Sequence, residues 1–229
     1  MIAYVDEQIG RILEALEGRA DAEDTLIIFT SDHGDFNGNH GMVKKDLVHI
    51  EDLLHVPFCV RLPGKRQAGR QVHALTEHVD LFPTLLDYAG VATNEPLHGT
   101  SLRPLLEGET ETHKEAIFAT VCPPGARNPY PDFRSFRAAW EAAQKDPAPH
   151  PLKYTRPYNV PGDHTRSIRT DRWRYVDYVD GFEELYDLAA DPLETRNIAS
   201  DPENSGVLDE LRARLADHVE KHAVSTPAS

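Results

Sequence analysis

The chain has few cysteines and no long apolar run, and each shortage excludes a class of protein. Two cysteines among 229 residues are too few for the disulfide framework of a small secreted domain. No apolar stretch approaches the roughly 20 residues that a membrane-spanning helix needs. The first 20 residues carry charges throughout, unlike a secretory signal peptide. We therefore expect a reduced compartment, with the cytoplasm as the default location and no membrane partner.

Positive charge is also in short supply. The chain has 24 Lys and Arg residues against 38 Asp and Glu residues, a formal net charge of -14 at pH 7. Such an acidic surface repels nucleic acid and anionic membranes, so neither is an expected partner. It would repel an anionic substrate as well. A site for an anion therefore needs local cationic side chains or a metal ion, and homo-oligomer formation stays open.

Apolar residues recur at helical spacing at the start of the chain. Val5, Ile9, Leu13 and Leu16 share one face, which predicts an amphipathic helix from about residue 2 to 18. Met1 lies inside or at the edge of this helix. We therefore expect the chain to begin partway through a larger fold.

The most informative stretch is a short apolar run at 26–29 that leads to Asp32 and His33. Its length and its flanking turn residues predict a parallel strand covered on both faces. In open α/β sheets, ligands bind at the carboxyl ends of the strands. Gly34 would let the chain turn sharply after the polar pair. The glycine-punctuated loop at 34–46 follows, and such loops often carry active sites.

The remaining chain changes character twice. A helix capped by Asp80 and a strand at 115–121 are predicted before a stretch with nine prolines. Long excursions of this kind tend to be functional or mobile. Three short antiparallel strands and an amphipathic helix at 208–222 are predicted after it. We therefore predict three regions, namely an α/β core part with the site at 1–121, a Pro- and aromatic-rich excursion at 122–165, and a small antiparallel sheet with a helix at 166–229.

Several of these segments, taken in order, resemble the sulfatase family of the alkaline phosphatase superfamily. The stretch Asp24-Thr-Leu-Ile-Ile-Phe-Thr-Ser-Asp-His-Gly34 carries part of the likeness, and further segments lie at 5–13, 40–45, 56–57, 80–90, 99–108, 168–175 and 184–197. The resemblance leaves out only about 122–165. It implies an α/β fold class, in which the C-terminal part of an alkaline phosphatase-like sandwich precedes a small antiparallel sheet with a C-terminal helix.

The resemblance also implies a metal site. Asp32 and His33 match the family's second pair of metal ligands, although the residues alone fit a turn-capping acid and a buried imidazole equally well. The implied cofactor is a divalent metal ion. Many members have Asp-Asn here and use Ca²⁺, whereas the imidazole of His33 shifts the preference toward Mn²⁺ or Mg²⁺. The Asp-His pair is also similar to that of phosphonate monoester hydrolases.

Three more residues receive candidate roles. Lys45, 13 residues after Asp32, matches the family's catalytic lysine, which binds the anionic oxygens of the ester; Lys44 is then a solvated neighbour. His40 is a candidate for substrate binding or for holding the glycine loop. His164 is a candidate for substrate binding or for a surface hinge.

The nucleophile of the family is not expected in this chain. Members carry an upstream Cys- or Ser-x-Pro/Ala-x-Arg motif whose first residue becomes formylglycine. Cys122-Pro-Pro-Gly-Ala-Arg127 looks similar, but its arginine stands at +5 instead of +4 and it follows the metal pair. The resemblance therefore implies hydrolysis of a small-molecule sulfate ester by the complete enzyme, with this chain alone inactive. A phosphonate or phosphate monoester hydrolase and a non-catalytic fragment are the alternatives.

Overall fold

The computed structural model describes residues 2–43, 45, 48–121, 138, 141–142, 145, 165–178 and 181–222. Most of the predicted excursion at 122–165 lies outside the described residues. The described helices are α1 (Ile2–Glu17), α2 (Glu51–Leu54), α3 (Leu81–Ala89), α4 (Arg103–Glu107) and α5 (Ser205–Lys221). The described strands are β1 (Ile27–Thr30), β2 (Phe58–Arg61), β3 (Ile117–Val121), β4 (Thr165–Arg169), β5 (Trp173–Asp177) and β6 (Glu183–Asp187). None of these helices is long and apolar enough to cross a membrane.

The chain forms two compact units that alternate along the sequence. The first contains Met1–Asp32 and Val56–His113, and the second contains His33–His55 and Lys114–Ser229. The segment that follows β1 therefore belongs to the same unit as the C-terminal sheet. The three sequence-continuous regions expected from composition stay a prediction.

In the first unit, β1 and β2 form a two-stranded antiparallel sheet with Thr30 opposite Phe58. This corrects the expectation of a parallel strand covered on both faces, because the described partner of β1 is antiparallel and Phe29 is 44% exposed. An apolar run of four residues is too short for periodicity to distinguish one covered face from two. β2 begins directly after Pro57, which has no N–H group to donate to a strand pair.

Asp80 is the buried polar centre of the first unit, with 0% exposure. The sequence predicted that its side chain caps α3, but α3 receives no side-chain cap from it. Its carboxylate instead accepts hydrogen bonds from the backbone N–H groups of Glu77 and Thr100, each at 2.9 Å. The side chain therefore joins the turn before α3 to the segment before α4, two regions that are 20 residues apart.

The second unit is built on a four-stranded antiparallel sheet in the order β3-β4-β5-β6. The sequence predicted all four strands, but it assigned the strand at 115–121 to the region before the excursion. This strand is β3, which pairs with β4 and places Ile117 opposite Arg169. α5 contributes three leucines to the core of this sheet, and the core consists of Ala116, Ile168, Tyr175, Leu185, Leu208, Leu211 and Leu215. Each fully buried leucine contributes about 1.5–3 kcal/mol. The small antiparallel sheet with a C-terminal helix is therefore confirmed.

Candidate functional site

The two predicted metal ligands follow directly after β1. Asp32 is exposed and lies two residues beyond the end of the strand. His33 is partly buried, and its Nδ1 lies 2.7 Å from the backbone carbonyl oxygen of Gly34. Since a carbonyl oxygen only accepts hydrogen bonds, Nδ1 is the donor in this contact, which fixes the orientation of the ring. Metal-binding histidines are commonly oriented by such a contact.

Gly34 is required by a close approach between two backbone segments. Its N–H group donates to the carbonyl oxygen of Leu53 at 2.9 Å. A Cβ atom at position 34 would lie 1.8 Å from the carbonyl oxygen of Asp52. The φ angle of Gly34 is not in the left-handed region, so the sharp turn expected there is not its reason. The glycine instead lets the chain after His33 lie directly against α2.

The loop beyond Gly34 is held by a small core and by Asp52. Phe36 is fully buried and packs with Ile50 and Leu53. The Asp52 carboxylate accepts a hydrogen bond from Asn39 Nδ2 at 2.6 Å and lies 3.4 Å from His40 Nε2. His40 thus has a contact that fits its predicted alternative of holding the loop. Substrate binding by His40 stays a prediction.

The other predicted site residues are placed less fully. Lys45 is exposed, so an anion from the solvent can reach its ammonium group. Lys44, Cys122 and His164 lie outside the described residues. The catalytic role of Lys45 and the substrate-binding role of His164 therefore stay predictions.

The donor atoms near β1 fit part of a metal site. Asp32 supplies a carboxylate and His33 an imidazole. The imidazole is less suited to Ca²⁺ and Mg²⁺, which both prefer oxygen ligands, than to a softer divalent ion such as Mn²⁺. Divalent ions of this kind take four to six ligands or more. No group of three or more His, Cys, Asp or Glu side chains within the described ranges is arranged to hold a metal ion. The two residues are therefore an incomplete ligand set.

Sequence reasoning missed a buried polar network beside this loop. Arg174 on β5 is 1% exposed and Glu194 is 3% exposed. The Arg174 guanidinium donates to the carboxylates of Glu194 and of Glu51, the first residue of α2. Arg174 is a charged residue in a strand whose central residues are all buried. A charged residue inside a mostly apolar strand was the feature of the sequence that could have indicated a buried ion pair. Its partners are 20 and 123 residues away in sequence.

A buried histidine lies next to this network. His49 is 1% exposed, and its Nδ1 lies 2.8 Å from Ser167 Oγ on β4. Burial is the main cause that lowers the pKa of His49 to about 4, and the positive charge of Arg174 adds to it. A backbone hydrogen bond at Thr165 acts in the opposite direction. The imidazole is therefore neutral in the folded chain at neutral and mildly acidic pH.

We expect the free energy of unfolding to decrease as the pH falls from about 6.5 to about 4. In this window the unfolded chain protonates His49, whose ordinary pKa is 6.5, whereas the folded chain does not. The contribution lost between pH 7 and pH 4.5 is about 2 kcal/mol. Urea unfolding at the two pH values measures this difference.

The comparison of two variants isolates the histidine from the carboxylates that titrate in the same range. In His49→Gln the pH-dependent decrease should shrink by about 2 kcal/mol. His73→Gln changes an exposed histidine and should keep the wild-type dependence. The same decrease in His49→Gln and in the wild type would contradict the assignment.

Two family models match the chain. The model described as Sulfatase matches residues 1–91, and the model described as N-sulphoglucosamine sulphohydrolase, C-terminal, matches residues 145–221. The two matches together cover most of the chain. The chain belongs to the sulfatase family. The resemblance on which the sequence prediction rested is therefore confirmed.

The sulfatase-family chain matches curated relatives along nearly its whole length. It is 33% identical to the delta 4,5-hexuronate-2-O-sulfatase of Bacteroides thetaiotaomicron over 218 residues, 94% of this chain and 39% of that protein. It is 32% identical to the N-acetylglucosamine-6-O-sulfatase of the same organism over 228 residues, 99% of this chain and 36% of that protein. The chain thus spans less than two fifths of the length of these relatives.

A solved structure agrees with the fold assignment. The phosphonate monoester hydrolase of Agrobacterium radiobacter matches with a TM-score of 0.74 and 33% identity, over 97% of this chain and 40% of that chain. The predicted fold class, part of an α/β sulfatase-type fold followed by a small antiparallel sheet and a helix, is confirmed by this likeness. The individual roles of Asp32, His33, Lys45 and His40 stay predictions.

Proposed function

We propose that this chain is the C-terminal portion of a metal-dependent sulfatase that hydrolyses a sulfate ester. The observation that carries the proposal is the order of Asp32, His33 and Lys45 in a chain of the sulfatase family. The contact of His33 Nδ1 with the carbonyl oxygen of Gly34 orients the ring and supports the ligand role. The acidic net charge supports the need for a cation where an anionic ester binds.

Each residue has a proposed task. Asp32 and His33 supply two ligands to a divalent ion, which would be Ca²⁺ by family, with Mn²⁺ or Mg²⁺ as the alternatives. When bound, such an ion neutralises charge on the ester oxygens. Lys45 places an ammonium group against the same oxygens and stabilises the charge that develops there. The formylglycine nucleophile is proposed to come from sequence outside these 229 residues.

The substrate proposal follows from the relatives. The two curated sulfatases are named for the sulfate groups of a hexuronate and of N-acetylglucosamine. We therefore propose a sulfated sugar as the ester, with His40 and His164 as candidate contacts to it. The phosphonate monoester hydrolase similarity and the Asp-His pair favour one second candidate, a phosphonate or phosphate monoester.

The proposal places the metal ligands and Lys45 in this chain and the nucleophile outside it, which can be tested directly. The purified 229-residue chain is expected to show no turnover of an aryl sulfate above the rate in buffer, with Ca²⁺, Mn²⁺ or Mg²⁺ added. Turnover that depends on Lys45 would overturn the claim that the nucleophile lies elsewhere. In a longer polypeptide that contains the nucleophile motif, kcat/KM for the sulfate and phosphate esters of one alcohol decides between the two substrate classes.

A further inference from the structure

Two buried charged groups and one partly buried charged group connect the loop after β1 to the C-terminal sheet of the same unit. We call Glu51, Arg174 and Glu194 the latch. Arg174 donates through Nε to Glu194 and through Nη2 to Glu51. The second carboxylate oxygen of Glu194 accepts the backbone N–H of Glu51 at 2.6 Å. Both the side chain and the backbone at the start of α2 are therefore held by the sheet unit.

The latch is a costly way to hold two segments together. Burying charged groups carries a desolvation penalty of several kcal/mol per ion, and well-packed apolar residues of similar size often give equal or greater stability. Glu194 in addition has a φ angle of 51°, in the left-handed region that disfavours residues with a Cβ atom. Hydrogen bonds to a guanidinium have directions that apolar contacts lack. We therefore expect the latch to restrict the position of α2 while adding little to the free energy of unfolding.

Contacts continue from the latch to the predicted site residues. Glu51 is followed by Asp52, which contacts Asn39 and His40. Leu53 then accepts the N–H of Gly34, the residue after His33. Two successive residues after the latch thus hold two points of the loop, and a displacement of α2 would displace both points.

We propose that Arg174 and Glu194 are positioning residues, which hold α2 and through it the loop with His33 and His40 in the conformation required for metal and substrate binding. The proposal rests on the proposed function, because it assigns a purpose to a conformation of that site. Neither residue is expected to touch the metal ion or the ester. Their effect passes through Glu51, Asp52 and Leu53.

Hydrogen exchange in the 229-residue chain tests the positioning. In Glu194→Gln the amide group of glutamine cannot accept from both donors, so the loop should loosen. The amides of 34–42 and 51–55 are expected to exchange at least about tenfold faster than in the wild type, with those of β4–β6 changed less than twofold. Arg172→Met, which removes the exposed pair with Asp187 on the same sheet, is the control and should change neither set.

A double variant separates positioning from stability. Arg174→Met with Glu194→Met removes two of the three charges, and Glu51 keeps its contact with Arg169 at 3.4 Å. The urea midpoint of this variant should therefore lie within the error of the wild-type value or above it. If the latch positions the loop, the amides of 34–42 and 51–55 still exchange faster in this variant. If wild-type protection returns with stability, the latch is only structural and the proposal is overturned. The proposal is also overturned if, in Glu194→Gln, the amides of β4–β6 lose as much protection from hydrogen exchange as those of 34–42 and 51–55.

The consequence for the site is measured with Mn²⁺ alone. In a longer polypeptide that also contains the nucleophile motif, calorimetric titration of the metal-free protein is expected to give a Kd at least about tenfold weaker in both latch variants than in the wild type, and unchanged in Arg172→Met. Absence of Mn²⁺ binding in the wild type would count against the proposed metal site and leave the exchange result to decide the latch. Wild-type Mn²⁺ affinity in a variant with a loosened loop would overturn the positioning of His33.

Discussion

Replacement of Asp32 by alanine is expected to lower kcat/KM for an aryl sulfate by at least about 10³-fold, in a polypeptide that contains both this chain and the nucleophile motif. This corresponds to a loss of about 4 kcal/mol in transition-state stabilisation. The variant removes one of the two proposed ligands in this chain and leaves the imidazole of His33 without its carboxylate neighbour. Kinetics with and without added Mn²⁺, together with the metal content of the purified protein, measure the effect.

The expected size follows from the charge balance of the chain. A net charge of -14 gives no general attraction for a sulfate ester, so local cations must supply it. A single exposed ammonium group such as that of Lys45 contributes little against solvent screening. A divalent ion places twice the charge of an ammonium group at one point. Loss of the metal ion should therefore lower kcat/KM more than loss of the Lys45 ammonium group.

Asp24→Asn is the matched control for Asp32→Ala. Asp24 is exposed and ends the short turn Ala22–Asp24 before β1, in the same unit as Asp32. This variant is expected to keep the wild-type rate within about twofold, since surface substitutions away from special features have small effects. Unchanged rate and unchanged metal content in Asp32→Ala would count against the ligand role of Asp32.

Replacement of Gly34 by alanine should destabilise the second unit by at least about 3 kcal/mol. The new Cβ atom would lie 1.8 Å from the carbonyl oxygen of Asp52 and 2.9 Å from its carbonyl carbon. Both neighbours are backbone atoms, so no rotamer change relieves the overlap. The segment must move away from α2, which also removes the hydrogen bond from Gly34 to Leu53. Urea unfolding and exchange of the amides of 34–42 measure the change.

Gly206→Ala provides the control in the same unit. Gly206 lies in α5, and an added Cβ atom there has nothing within 4 Å. Alanine should therefore stabilise the helix by roughly 0.5–1 kcal/mol, since it loses less backbone entropy on folding than glycine. A Gly34→Ala variant that is as stable as the wild type and shows unchanged hydrogen exchange in the amides of 34–42 would exclude the close contact between the backbones of Gly34 and Asp52.

The order of short motifs made the family predictable from the sequence. The motif with Asp32 and His33 and the later segments up to 184–197 depend on neighbours in sequence. The two family models match most of these segments, with 99–108 outside both matches. The amphipathic patterns of α1 and α5 likewise depend on positions three and four residues apart. Such local information is fully present in the sequence.

The tertiary structure decided which residues support the candidate site. Gly34 is needed because the backbone of Asp52 leaves no room for a Cβ atom. The Asp80 carboxylate accepts hydrogen bonds from the N–H groups of Glu77 and Thr100. Arg174 pairs with carboxylates that are 20 and 123 residues away. A turn glycine or a capping aspartate has the same local sequence whether or not a distant segment packs on it. The positions that place His33 and His40 therefore depend on long-range contacts, which local patterns do not encode. The sequence by itself determined the family and the candidate ligands, and only the folded chain determined what holds them.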